Sequence, residues 1–160
     1  MRAFTLLEIM VVIVIAAIIG GVALALSGDS DSTAALAGAR IVLQDLEFAQ
    51  SEAICRRSPI TVTFNVGAGS YTVSDGVGAI TNPVTHQAYV VNLAEESGGA
   101  AHLSGASFGA GSAVSFNASG EPVLPGTDTP ISSGSGVTVS CGSAVRSVTI
   151  TPVVGKITAN

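Results

Sequence analysis

The sequence predicts an α+β fold in which one long N-terminal helix packs by its second half on an antiparallel β-sheet. Three observations predict this fold: an uncharged apolar run at residues 9–26, apolar positions spaced by three or four in residues 34–57, and strict alternation after Pro59. Spacing by three or four is typical of a helix with one buried face, and alternation is typical of a strand with one buried face. A helix followed only by strand pairs indicates an α+β layer arrangement.

The N-terminal segment, residues 4–28, is predicted to be a helix of membrane length. The uncharged run at 9–26 would form a rod of roughly 27 Å, close to the ~30 Å of hydrocarbon in a bilayer. Glu8 is the one charged residue of the segment, and a charge at this apolar margin costs about 2.5 kcal/mol or more unless it is paired. We therefore expect Glu8 to meet a cation. Arg2, which precedes the run, predicts a cytoplasmic N-terminus with the bulk of the chain outside.

A secretory signal peptide is the alternative interpretation of the same segment. Ala23-Leu24-Ala25 is similar to an A-x-A cleavage site, and a cut after Ala25 would release a soluble secreted protein, either an enzyme or a binder. The apolar run is longer than the roughly 7 to 15 residues of a typical signal, and Glu8 stands where basic residues belong. These features favour the anchored helix and leave secretion as the alternative.

The globular part is predicted to occupy residues 29–160 and to begin with an amphipathic helix at 34–57. Residues 27–33 are rich in Ser, Asp and Thr, which compete with helical hydrogen bonds, so they are predicted to cap or interrupt the helix. Ser58-Pro59 is predicted to end it, because a residue before proline disfavours helical backbone angles. One apolar stripe is predicted to face the sheet: Leu36, Ala39, Leu43, Leu46 and Ala53.

The sheet is predicted to span residues 60–159. It would contain three hairpins, each made of two short apolar segments joined by a link rich in Gly, Ser or Ala: 60–66 with 70–74, 114–116 with 122–124, and 137–141 with 147–151. A last short strand is predicted at 156–159, after a turn at 152–155. Residues 75–113 show little pattern, apart from a short apolar piece at 88–93.

Composition argues against a nucleic-acid partner. The formal net charge is −5, charged residues make up only 11% of the chain, and Arg56 and Arg57 are its only adjacent basic pair. Phosphate recognition needs a basic patch or stripe, which this chain lacks. An exterior so poor in charge suits close packing against copies or partners better than life as a free soluble monomer.

No catalytic residue, cofactor or metal site is predicted. The segment 105–109 fits the G-x-S-x-G pattern, but that pattern indicates a nucleophile only between a strand and a helix of a parallel α/β sheet. His86 and His102 stand alone in weakly patterned sequence, and Asp29 and Asp31 lack the further oxygen ligands that calcium needs. We therefore expect loop histidines and capping aspartates.

Cys55 and Cys141 are the only cysteines. Cys55 would lie in the last turn of the helix, and Cys141 would lie on a strand packed against that helix. In an oxidising compartment the two could form a disulfide. Such a crosslink would contribute about 4 to 5 kcal/mol in the chain-entropy model. The alternative is a pair of buried free thiols.

The N-terminal residues carry a resemblance to a known family. Phe4-Thr5-Leu6-Leu7-Glu8 followed by an apolar helix resembles the start of type IV pilins and type II secretion pseudopilins. The resemblance implies a leader at residues 1–3, cleavage between Ala3 and Phe4 by a prepilin peptidase, and N-methylation of Phe4. It also implies that Glu8 meets the methylated amine of a neighbouring subunit. Ala3 occupies a position that is nearly always Gly in that family.

Three later segments resemble the minor pseudopilin H family of GspH/FimT type: 46–57, 115–120 and 150–156. The resemblance implies a pilin-like fold and a structural, non-enzymatic subunit of a type IV pilus or a type II secretion pseudopilus. Its implied partners are copies of itself or other pilins, the peptidase and the bacterial inner membrane, from which it would pass into a periplasmic or extracellular filament. A FimT-like minor pilin that binds DNA for uptake is the alternative, and it needs a basic surface.

Overall fold

The computed structural model describes residues 6–26, 30–109 and 111–160, except for the side chains of residues 22–26. The chain divides into two compact units, Met1–Ser30 and Asp31–Asn160. The predicted cleavage residues Ala3 and Phe4 lie outside the described residues, and so do residues 27–29 of the predicted interruption.

The first unit contains helix α1 (Leu6–Leu26), an α-helix of 21 residues with Glu8 in its first turn. Every described side chain of α1, from Leu6 to Gly21, is exposed. Because the sequence after Glu8 is uncharged, the helix shows no polar face. Within the part of the chain that the structure describes, no helix is long and apolar enough to cross a membrane.

Helix α2 (Ser30–Arg56) belongs to the second unit from Asp31 onwards. The helix starts at Ser30 rather than at residue 34, so the second half of the predicted interruption is helical. It ends at Arg56, one residue before the predicted end at 57, because Arg57 has a positive φ of 51° and Ser58-Pro59 follows. The buried stripe is centred on Ala35, Val42 and Ala49, and it includes the predicted Ala39, Leu46 and Ala53. Leu36 and Leu43 are half-buried at its flanks.

Nine strands and one short helix follow α2 in the described residues. In chain order they are β1 (Ile60–Asn65), β2 (Ser70–Ser74), β3 (Val90–Asn92), α3 (Leu93–Glu96), β4 (His102–Ser107), β5 (Ala113–Phe116), β6 (Pro122–Val123), β7 (Gly136–Cys141), β8 (Ala144–Ile150) and β9 (Ile157–Ala159).

The strands form two antiparallel sheets, ordered β3-β2-β1-β5-β6 and β4-β7-β8-β9. The α+β class is therefore confirmed, and the expectation of one sheet is wrong. All three predicted hairpins are present, as β1–β2, β5–β6 and β7–β8. Strand β4 was not predicted, because its residues are mostly small and a bulge interrupts its pairing between Leu103 and Gly105.

One hydrophobic core joins α2 to both sheets. Val42 and Leu46 of α2, Phe64 of the first sheet and Val139 of the second sheet are each almost fully buried within it. Phe64 also stacks on Phe108, with ring centroids 5.7 Å apart. The second unit thus has a core of its own, which holds α2 in place against the two sheets.

Candidate functional site

The exposed surface of α1 is the first candidate site. Leu6 and Leu7 are 79% and 72% exposed, and the following Ile, Val and Met side chains are about half exposed or more. A contiguous exposed apolar surface of this kind indicates contact with a membrane or with other protein. Glu8, the predicted assembly residue, is exposed in the first turn of this helix.

One face of α1 carries a shallow apolar hollow of about 360 Å³. Five side chains spaced by three and four residues line it: Leu7, Met10, Val11, Val14 and Ile15. Rows of this spacing form the ridges and grooves by which helices pack on one another. The surface can therefore accept the side chains of a second helix.

The second candidate site is a junction around Gln50, on the half-buried side of α2. The Gln50 Nε2 atom donates hydrogen bonds to the Gly120 oxygen at 2.8 Å and to the Gly155 oxygen at 3.3 Å. Gly120 belongs to the turn between β5 and β6, and Gly155 to the turn between β8 and β9. One side chain thus ties the helix to a turn of each sheet. The three residues lie in the three segments that carry the later resemblance.

The third candidate site is the Asp45 cluster, in which the side chains of Asp45, Tyr71 and Tyr89 are joined by hydrogen bonds. Tyr71 Oη donates a hydrogen bond to Asp45 Oδ2, and Tyr89 Oη donates one to Asp45 Oδ1 at 2.9 Å. Burial raises the pKa of Asp45 above its ordinary value, and the two tyrosine hydrogen bonds offset part of that rise. Burial and the nearby carboxylate raise the pKa of both tyrosines, so their hydroxyls remain donors.

The two cysteines do not form the predicted disulfide. Both thiols are free, with Cys55 exposed and Cys141 buried. The Cys141 Sγ lies 3.8 Å from Asp31 Oδ1, near the start of α2. Cys55 lies in the same helix 24 residues after Asp31, which corresponds to about 36 Å at 1.5 Å per residue. The disulfide prediction is wrong, because the strand that carries Cys141 packs at the opposite end of α2 from Cys55.

Within the one adjacent basic pair, Arg56 is held by two carboxylates, and Arg57 is exposed. Arg56 Nε contacts Glu52 Oε1 at 2.5 Å, and its Nη1 lies 3.9 Å from Asp75 Oδ2. Backbone N–H groups of Val77 and Gly78, with a smaller contribution from Arg56, hold the pKa of Asp75 below its ordinary value. The carboxylates of Glu52 and Asp75 thus pair with the Arg56 guanidinium, which is then not free to bind phosphate.

The residues weighed for catalysis are not brought together. Ser107 ends β4, which pairs antiparallel with β7, so the G-x-S-x-G segment is not a strand-to-helix elbow. His102 Nε2 lies 3.1 Å from Ser140 Oγ, and His86 lies in an exposed loop with a φ of 57°. Among the described residues there is no group of three or more side chains that could hold a metal ion.

A family model for the type II transport protein GspH matches residues 38–153, well over half of the 160-residue chain. The chain belongs to the GspH family. A similar solved structure is that of the minor pseudopilin EpsH from the Type 2 Secretion System of Vibrio cholerae. It shares 16% identity with this chain at a TM-score of 0.49, over 76% of this chain and 92% of that chain. No curated protein matches the sequence.

Membership in the GspH family confirms the predicted resemblance and the predicted class of function, a structural subunit. Of the two assemblies that the sequence left open, it supports the type II secretion pseudopilus rather than the type IV pilus. The matched region begins within α2 and ends in the turn before β9. It therefore contains the Asp45 cluster and, of the Gln50 junction, Gln50 and Gly120 but not Gly155. Sequence reasoning identified the segments around Gln50 and missed the residue itself, because a partly buried glutamine carries no periodic signal. It also missed Asp45, which it had no reason to separate from the other surface carboxylates.

Proposed function

We propose that this GspH-family protein is a minor pseudopilin that acts without catalysis, by adding its domain to a type II secretion pseudopilus. The observation that carries the proposal is an exposed apolar helix in a chain whose second unit belongs to the GspH family. Such a surface is stable only where lipid or protein covers it. The bilayer would cover it before assembly, and neighbouring helices would cover it afterwards.

We further propose that residues 4–28 anchor the chain in the inner membrane before assembly, with the second unit outside the cytoplasm. The support comes from the sequence, whose uncharged run continues to Leu26, beyond the last described side chain at Gly21. Arg2 precedes this run in the sequence, so by the positive-inside rule the N-terminus would stay in the cytoplasm. Release as a soluble protein by a cut after Ala25 is the competing outcome.

Glu8 is the proposed assembly residue. Cleavage between Ala3 and Phe4 would create an α-amine, and a neighbouring helix shifted by a few residues would bring that amine to Glu8. Pairing would offset the cost of two charges in an apolar layer and would set the axial shift between subunits, because other registers leave a charge unpaired. The position of Glu8 in the first turn of an otherwise apolar helix supports this role.

Two measurements test the proposal. Intact-mass analysis of the protein from cells should give a mature chain that starts at Phe4, whereas a start at Leu26 would establish the secreted alternative. Filaments should then be sheared from cells that carry wild-type protein, Glu8→Gln or Glu8→Ala, and blotted for the subunit. We expect both variants to insert in the membrane, because they make the segment more apolar, and to be depleted from the filament. Normal incorporation of Glu8→Ala would refute the pairing role.

A further inference from the structure

A cavity of about 290 Å³ opens beside the Asp45 cluster, between α2 and the segment that leads into β3 and α3. Its volume is near the lower limit of about 300 Å³ for small-molecule sites, so it suits one side chain better than a larger ligand. Aliphatic side chains form part of its wall, and these are Ile41, Val84 and Val91.

Two carboxylates line the same cavity, those of Asp45 and Glu96. No lysine, arginine or histidine is among the described residues that line it. The ion pairs found among described side chains are those of Arg56, so neither cavity carboxylate has a cationic partner there. Tyr89 adds an aromatic ring to the wall, and aromatic rings attract cations.

The wall thus combines an apolar surface for an alkyl stem with two anionic groups and a ring for a cationic head. Long basic side chains have this division, because their methylene stems cover apolar surface while the charged end seeks water or an anion. We propose that the cavity receives a lysine or arginine side chain from a neighbouring subunit of the filament. This occupant rests on the proposed function, which places other subunits against this domain.

The electrostatic surroundings of Asp45 favour a cationic neighbour. Burial raises the pKa of its carboxyl, and the like charge of Glu96 raises it further. A basic group seated beside Asp45 would lower the pKa of its carboxyl. Val84, which is 84% exposed at the rim, would then be covered by the stem of the incoming side chain.

The first test measures the cavity without any partner. The full chain in detergent micelles, with ¹³C-labelled Ile and Val methyl groups, is titrated with n-butylammonium and with n-propylguanidinium as probes. We expect saturable shifts at Ile41, Val84 and Val91. The same titration with n-butanol, which has the stem without the charge, should give none. Absent shifts, or equal shifts with n-butanol, would overturn a cation site.

Two variants, each of which removes one exposed carboxylate, distinguish binding in the cavity from a general effect of charge. Glu96→Gln should weaken binding of both cations by roughly two- to fivefold, the range for one partly exposed charge pair. Glu47→Gln is the matched control, because Glu47 is exposed on α2 and does not line the cavity. Equal effects of the two variants would show a general charge effect and would overturn the site.

The second test determines whether a neighbouring subunit of the filament supplies the cation. Glu96→Lys places a positive charge at the cavity, so we expect this variant to bind neither probe and to be depleted from sheared filaments, while Glu47→Lys is incorporated. Normal incorporation of Glu96→Lys would overturn the neighbouring subunit as the occupant. If wild-type protein itself never enters filaments, the proposed function fails, and the micelle titration still decides whether the cavity binds cations.

Discussion

Gly38 of α2 lies so close to Ala101 that a Cβ atom on residue 38 would be 2.8 Å from the Ala101 Cβ. The same atom would lie 3.0 Å from Val139 Cγ1, on the second sheet. A glycine inside a helix costs about 1 kcal/mol relative to alanine, so its place here is explained by close packing rather than by helix stability.

Gly38→Ala should therefore destabilise the second unit, although alanine is the better helix former. Overpacking a dense core costs about 1 to 3 kcal/mol, which exceeds or offsets the gain of about 1 kcal/mol in helix propensity. We expect a net loss of about 1 kcal/mol in the free energy of unfolding, measured by denaturant titration of the full chain in micelles.

The control for this prediction is the double variant Gly38→Ala with Ala101→Gly. Removing the methyl group at position 101 makes room for the new one at position 38. The double variant should therefore be more stable than the sum of the two single losses predicts. A purely additive result would show that the approach of Gly38 to Ala101 does not limit the packing.

Gln50→Met should destabilise the domain by about 2 kcal/mol, because it removes the donor to two buried carbonyl groups while keeping the length of the side chain. Gln50→Glu should cost more, since a carboxylate would face the oxygens of Gly120 and Gly155. Gln44→Met on the exposed face of α2 makes the same chemical change away from the junction, and should stay within about 0.5 kcal/mol of wild type. Equal losses for Gln50→Met and Gln44→Met would contradict the bridging role.

The hairpins could be predicted from the sequence because each one is local. In β1–β2, for example, the alternation of residues 60–65 and the Gly67-Ala68-Gly69 link specify the pairing without distant residues. The division into two sheets could not be predicted, because alternation shows which residues face the core and not which strands are neighbours. Strand β5 pairs with β1 although some fifty residues separate them, and the sequence of neither strand indicates its partner.

The candidate sites show the same limit. The apolar N-terminal helix and Glu8 are contiguous in the sequence, so their pattern could be interpreted directly. Gln50 is 70 residues from Gly120 and 105 from Gly155, and Asp45 is 26 residues from Tyr71. The disulfide prediction failed for the same reason, since the position of Cys141 along α2 depends on how the second sheet packs.

The two thiols should differ in reactivity in the native protein. Cys55 is exposed, whereas Cys141 is buried, and burial and the Asp31 carboxylate raise the pKa of the Cys141 thiol. A thiolate is the reactive form, so Cys141 is disfavoured both by access and by protonation. We expect one thiol to react with a maleimide reagent in the folded chain, and two after unfolding without reductant. Cys55→Ser should abolish the native reaction, and an unfolded chain with no reactive thiol would restore the disulfide.

The stability of the domain should depend on pH through Asp45 in a direction opposite to that of Asp75. The folded-state pKa of Asp45 lies above its ordinary value of 3.8, so the folded chain holds this proton more tightly than the unfolded chain does. The difference between the folded-state and unfolded-state pKa of Asp45 therefore stabilises the fold. This stabilisation is fully present below pH 3.8 and is lost as the pH rises through the folded-state pKa. Each unit of difference between the two pKa values is worth about 1.4 kcal/mol.

Asp45→Asn should remove this pH dependence, because the amide does not titrate and can still accept from one tyrosine and donate to the other. The free energy of unfolding of wild type should therefore fall relative to that of Asp45→Asn as the pH rises above about 4. Asp75→Asn is the control of opposite sign: the lowered pKa of Asp75 contributes stability that is present above its unfolded-state pKa and is lost as the pH falls. Denaturant titrations from acidic to neutral pH would measure both differences. A constant difference between wild type and Asp45→Asn would contradict the raised pKa of this carboxyl.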